Sequence, residues 1–170
     1  MSERLLPRYA FFIAGTGRHT ERLQAFDRAL IDAGPLAHNL VTVSSILPAK
    51  CKIISPKEGF KMLIPGQITF CVMARQDTNE LSEVASAAIG SVRAKNINTF
   101  GYISEYHGNV TSKKEAETIA KKLATEMFLK KLSSSKGSPD LESAHAVSAS
   151  IKQTNGNEWV CAVALCVFVL

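Results

Sequence analysis

Three places in this 170-residue chain combine residue types that could do chemistry. The first is Ser44-Ser45, two hydroxyls set inside the apolar run Asn39–Ile54, just ahead of Pro48. Such a pair can be a bulge or turn with satisfied hydroxyls. It can also perform serinolysis. The Ser45 hydroxyl attacks the Ser44 carbonyl to give an ester, and β-elimination then breaks the chain and leaves dehydroalanine at position 45. Hydrolysis of that residue releases ammonia and leaves a pyruvoyl group. The reaction needs a constrained peptide bond and an oriented hydroxyl, which a short segment pinned between two strands can supply.

The second place is Asp27. At 100° per residue, Leu23, Phe26, Leu30 and Ile31 share a helix face with it, while Glu21, Arg22, Arg28 and Asp32 lie opposite. A lone carboxylate on an apolar face is costly unless it is paired. It either caps or pairs within the core, or receives a cationic ligand; a guanidinium suits a carboxylate through bidentate pairing. The third is Glu105 in Gly101-Tyr-Ile-Ser-Glu-Tyr-His107. Along a strand it shares a face with Ile103 and His107. It is either a surface carboxylate on an edge strand or, if buried beside apolar groups, a general acid that keeps its proton.

The elements that position these residues follow from pattern. Tyr9–Ala14 predicts a strand ended by Gly15-Thr16-Gly17. Thr20–Ala33 predicts a helix, with Thr20 as N-cap and Gly34-Pro35 as its stop. Asn39–Ile54 predicts two strands with a sharp change of direction at the serines. A short helix over 56–64 capped by Ser55, a strand over 67–75 and a strand over 99–106 follow, while 83–93 is ambiguous between strand and helix. Ser112-Lys-Lys-Glu115 is a capping box opening a helix to about Leu132, and Ser133–Pro139 reads as a linker. Ser143–Gln153 and Glu158–Leu170 predict two strands joined as a hairpin through Asn155-Gly156. The last strand is apolar on both faces and so belongs inside a layered structure. These readings together predict a single α+β domain spanning residues 1–170, with packed sheets and helices outside.

Composition narrows the function. The net charge of +5 is spread along the chain. Its densest stretch, Lys113 to Lys131, is interleaved with Glu115, Glu117 and Glu126, a solvated helix face rather than a nucleic-acid surface. Cys51, Cys71, Cys161 and Cys166 form no CxxC pair and have no histidine at zinc spacing, which points to no metal and to a reducing compartment. The N-terminus has no sustained apolar stretch with a cleavage site, and the apolar run Trp159–Leu170 is too short for a spanning helix. A cytoplasmic protein with no membrane partner is expected.

The motifs in order resemble the pyruvoyl-dependent arginine decarboxylases: Gly15-Thr16-Gly17, then Leu23-Gln-Ala-Phe26-Asp27-Arg-Ala29-Leu30, Asn39-Leu-Val-Thr-Val-Ser44-Ser45-Ile46-Leu-Pro48, Ala87-Ala88-Ile89-Gly90 and Gly101-Tyr102-Ile-Ser-Glu105-Tyr-His107. The Asn39–Pro48 block is the most specific of the five. The resemblance implies a four-layer αββα sandwich, cut into residues 1–44 and 45–170. It implies a covalent pyruvoyl group from Ser45, with no pyridoxal phosphate and no metal, on which arginine forms a Schiff base and loses CO2 to give agmatine. It makes Glu105 the proton donor, and it gives Asp27, Leu23, Asn39 and Ser44 to substrate binding. It also implies a trimer or a dimer of trimers with active sites between subunits. Lys50 departs from the proline or glycine common at its position, and 91–98 is unusually basic.

Three other readings compete. A pyruvoyl decarboxylase of another amino acid, such as histidine or ornithine, would use the same serines. A non-catalytic basic binding domain would not cut itself and would bind polyanions in a strongly salt-dependent way. A dinucleotide enzyme fails on Thr20, which stands where the third glycine is needed.

Overall fold

Among the described residues, nine strands and three helices follow one another: β1 (Tyr9–His19), α1 (Arg22–Ala33), β2 (Asn39–Thr42), β3 (Ile46–Leu47), β4 (Lys52–Ile53), α2 (Pro56–Lys61), β5 (Ile68–Thr78), β6 (Val84–Ala94), β7 (Gly101–Gly108), α3 (Lys113–Lys131), β8 (Pro139–Lys152) and β9 (Trp159–Val169). This computed structural model describes residues 5–131 and 137–170. Most of the serine linker expected over 133–139 lies outside them.

The strands form two sheets, ordered β2-β5-β9-β1-β4 and β3-β7-β6-β8. Alternation along β9 shows how the layers stack. Val160, Ala162, Ala164, Cys166 and Phe168 enter the core between the sheets with Phe12, Val72, Ile89 and Ile103. Cys161, Val163, Leu165 and Val167 face the other way, onto Ala25 and Ala29 of α1. On the far side of the second sheet, Val92 and Tyr102 meet Ala124 and Phe128 of α3. The stack is therefore helix, sheet, sheet, helix: the expected four-layer αββα sandwich. A strand apolar on both faces fits because both of its faces are covered.

Small residues let the helices approach the sheets. A Cβ on Gly15 would stand 2.4 Å from the Ala29 carbonyl oxygen, and one on Gly17 would stand 2.1 Å from that of Ala25. These glycines do not end β1, as their turn-like spacing suggested. They lie at alternate positions of a strand that continues to His19, directly beneath α1. Gly90 plays the same part in β6, which resolves as a strand under Ala120 of α3.

Two further expectations change. The segment Asn155-Gly156 does not close a hairpin, because β8 belongs to the second sheet and β9 to the first. Arg18 braces the crossing by donating to the Gln153 side chain at 3.0 Å and the Lys152 carbonyl at 2.9 Å. Helix α1 starts after Glu21 with no side-chain cap, so Thr20 is not its N-cap, whereas Ser55 and Glu58 do form a full capping box on α2.

Candidate active site

The segment from Asn39 to Ile53 crosses between the sheets twice. Strand β2 runs parallel to β5 in the first sheet, β3 pairs with β7 in the second, and β4 returns to the first beside β1. Ser44-Ser45 is the first crossing. Just before it, the Val43 amide donates to the Cys71 carbonyl of β5 at 2.9 Å; at it, the Ile103 amide of β7 donates to the Ser45 carbonyl at 2.9 Å. The dipeptide is thus held from both sheets.

Between these anchors the Ile46 amide donates to the Ser44 carbonyl oxygen at 2.9 Å. That bond closes a three-residue γ-turn with Ser45 at its centre. Its chemical meaning is specific. The oxygen that would become an oxyanion, when a hydroxyl attacks the Ser44 carbonyl carbon, already accepts a backbone N–H. Neither serine has a left-handed backbone, so the constraint is this turn and its two anchors; the nearest positive φ is at Lys50, 62°. Ser45 is half-buried and Ser44 is exposed. Val43 and Ile46 bracket the pair and line an apolar cleft of about 300 Å³ with Pro48, Phe70 and Phe168.

Glu105 converges on the same crossing. It lies two residues along β7 from Ile103, roughly 7 Å from the Ser45 anchor. It shares the face of Ile103, which enters the core between the sheets, while Ser104 turns away and donates to the Ala120 carbonyl of α3. Burial raises the Glu105 pKa, and the charge of His107 only partly offsets it. Its charge in turn adds to the burial that pushes the Cys71 thiol up to about 12. The Glu105 residue is nonetheless exposed, as the surface-carboxylate reading expects, so this burial is partial. Strand β7 is covered on this side by β3 only over Gly101 and Tyr102, so Glu105 sits where the sheet edge opens.

The remaining expected site residues stand elsewhere. Asp27 is exposed, not on the buried face: Ala25 and Ala29 face the sheet with Phe26 and Leu30 beside them, and Leu23, Asp27 and Ile31 form a stripe on the outside. The heptad-like spacing placed the seam one residue off, because the true contact is alanine on glycine and a hydrophobicity pattern weights leucine more. Leu23 is 72% exposed and Ile31 66%. Asn39 is at the other end of β2 from the serines, and its side-chain amide donates to the Gly66 carbonyl at 2.8 Å. Among the described residues, no hydrogen bond or ion pair joins Leu23, Asp27 or Asn39 to Ser44, Ser45 or Glu105.

Two features escaped the sequence reading. One is the set of backbone partners at Ile46, Ile103 and Cys71, which no side-chain motif announces. The other is a clamp on α1: Arg22 and Arg75 both pair with Asp77, at 2.7 and 2.6 Å, and the Asp77 side chain is only 4% exposed. Arg75 also stacks over Phe26, 3.9 Å from the ring centre. Burial raises the Asp77 carboxyl, but the hydrogen bonds from Arg75 and Arg22 outweigh it and hold the pKa below the ordinary carboxylate value. The spacing Arg75-x-Asp77 on one strand face was the available signal.

Comparison with known proteins identifies the family. A family model for pyruvoyl-dependent arginine decarboxylase matches residues 9–170. A pyruvoyl-dependent arginine decarboxylase 1 of Methanosarcina acetivorans is 44% identical over 128 residues, covering 75% of this chain and 78% of that one. The pyruvoyl-dependent arginine decarboxylase of Methanococcoides burtonii is 47% identical over 124 residues, 73% and 69% of the two chains. A probable pyruvoyl-dependent arginine decarboxylase of Chlorobium limicola is 46% identical over 123 residues, 72% and 68%.

Proposed function

The chain belongs to the pyruvoyl-dependent arginine decarboxylase family, and we propose that Ser45 is the residue it converts to the pyruvoyl group, by cutting itself into chains 1–44 and 45–170. The enzyme is a carboxy-lyase that acts on arginine through that covalent group. The observation that carries the assignment of Ser45 is the γ-turn, which aims the Ile46 N–H at the Ser44 carbonyl oxygen. Attack by the Ser45 hydroxyl moves negative charge onto an oxygen that already has its donor. The ester then releases the Ser44 carboxylate by β-elimination, and one water replaces the amine of position 45 with a carbonyl, releasing ammonia.

The pyruvoyl group supplies a carbonyl that takes up the substrate's α-amine and acts as electron sink while CO2 departs. The residues around it do the rest. Glu105, with its pKa raised by burial, holds a proton near the anchored crossing and delivers it to the substrate α-carbon, giving agmatine. Val43 and Ile46, which flank the serines, line an apolar cleft with Pro48 and Phe70 beside that position.

Asp27 receives the guanidinium, with Leu23 along the substrate's aliphatic part and Asn39 and Ser44 holding polar groups. In one subunit Leu23, Asp27 and Asn39 are not joined to Ser45, and we assign them to a site completed by a neighbouring copy, in a trimer or a dimer of trimers. The exposed apolar residues Leu23, Ile31, Val41, Val43, Ile46 and Ile68 support such contacts. No described helix is long and apolar enough to cross a membrane, and four unpaired, buried cysteines suit a reducing cytoplasm.

Incubation with radiolabelled arginine and borohydride tests the assignment. Label should become fixed to the 45–170 chain and be absent from Ser45→Ala. Label that persists in Ser45→Ala would place the reactive carbonyl elsewhere.

A further inference from the structure

At the end of the β1–β4 pair lies an open cavity of about 490 Å³ that the decarboxylation chemistry does not use. Arg8, Tyr9, Lys50 and Lys52 line it, and among the described residues no Asp or Glu does. Among the described residues, no ion pair or side-chain hydrogen bond engages Arg8, Lys50 or Lys52. The three cations are brought together by backbone pairing: the Lys52 amide donates to the Arg8 carbonyl at 2.9 Å, and β4 runs parallel to β1 from there. All three residues are exposed at the mouth of the cavity, where like charges without a counter-charge repel one another, weakly because water screens them.

Lys50 also has an unusual backbone. Its φ is 62°, a left-handed conformation that costs a residue with a Cβ and costs glycine nothing. A lysine held there is a strained residue whose side chain contributes charge to the cavity. Lys50 also rims an adjoining cleft with Arg93, Lys95 and Asp140. Among the described residues, Asp140 is not in ion-pair contact with any of them.

The geometry points to an oxyanion site: Arg8, Lys50 and Lys52 bind a phosphate-class dianion, with the Tyr9 side chain along its wall. Charge-assisted contacts to three cations favour a multiply charged oxyanion over a halide. The ligand is either free phosphate or the phosphate end of a larger metabolite. Because Lys50 lies in the β3–β4 connection that follows Ser45, the bound anion also fixes the loop on which β3 depends.

Isothermal titration of the processed wild-type protein with inorganic phosphate tests this, with ionic strength held constant by chloride. Saturable binding is expected, weakened about tenfold in Lys50→Gly and abolished when Arg8→Ala and Lys52→Ala are added. In phosphate-free buffer Lys50→Gly should melt roughly 2–4 °C above wild type, since glycine relieves the backbone, so its lost affinity is not misfolding. A parallel titration with adenosine monophosphate separates the sources: tighter binding than phosphate assigns the site to a larger metabolite, equal binding to the free ion. Wild-type protein that shows no saturable phosphate binding, or Lys50→Gly with unchanged affinity, would overturn the site.

Discussion

Gly17→Ala probes the contact that sets the position of α1. The new Cβ would stand 2.1 Å from the Ala25 carbonyl oxygen and 2.5 Å from the Ala29 amide nitrogen, both backbone atoms of the helix. Neither can rotate aside. Ordinary van der Waals separation is above 3 Å, so the helix must lift by roughly 1 Å to restore it. Overpacking of that size costs on the order of 2 kcal/mol, a fall in Tm of about 4–8 °C for a chain of this length. Asp27 rides on the same helix, and a displacement of about 1 Å in a positioning group can cost as much as a hundredfold. Self-cleavage should survive, because Ser44-Ser45 is anchored by β5 and β7 and not by α1. Thermal melts, arginine kinetics and a denaturing gel on one preparation read all three effects. A Gly17→Ala protein with wild-type Tm and wild-type KM would refute the claim that glycine on alanine sets the helix position.

Asp27→Asn should leave cleavage intact and raise KM for arginine by roughly 30–150-fold, the equivalent of about 2–3 kcal/mol for a charge-assisted pair; steady-state kinetics with unchanged KM would remove the residue from the guanidinium site. Glu105→Gln should still cleave, but kcat should fall about a hundredfold or more. Because the protonated form is the donor and burial raises its pKa, wild-type kcat should decline as pH rises through that raised value, and this limb should vanish in the variant. Asp77→Asn should cost on the order of 2 kcal/mol at neutral pH by urea melts, less than a fully buried pair because Arg22 is largely solvated. The Asp77 pKa lies below its unfolded value, so its stabilisation is complete above the ordinary carboxylate range and lost as pH falls through the folded pKa. The gap between wild type and variant should therefore close in acid.

Much of this was legible before any coordinates. Strand β9 declared itself through an apolar run without alternation, and the layered sandwich with it. Ser44-Ser45 stood out by breaking an apolar run, and the structure places it at the crossing between the sheets; Glu105 was read on the strand face of Ile103 and lies there. What stayed hidden depended on contacts between distant segments. Gly15 and Gly17 read as a turn because glycine spacing does not reveal a helix lying overhead. Asn155-Gly156 read as a hairpin because local turn chemistry cannot say that its two strands enter different sheets. Asp27 read as buried because Leu23 and Ile31 outweigh alanine on any hydrophobicity scale. Their exposure is what the proposed neighbouring copy would cover.

The intact mass of freshly purified protein under denaturing conditions tests the central claim most directly. Two chains are expected, residues 1–44 and 45–170, the larger one lighter than its plain sequence by the mass of ammonia and resistant to N-terminal sequencing. Ser45→Ala should run as one folded, inactive chain of full mass. An uncut wild-type chain that still decarboxylates arginine would contradict the account.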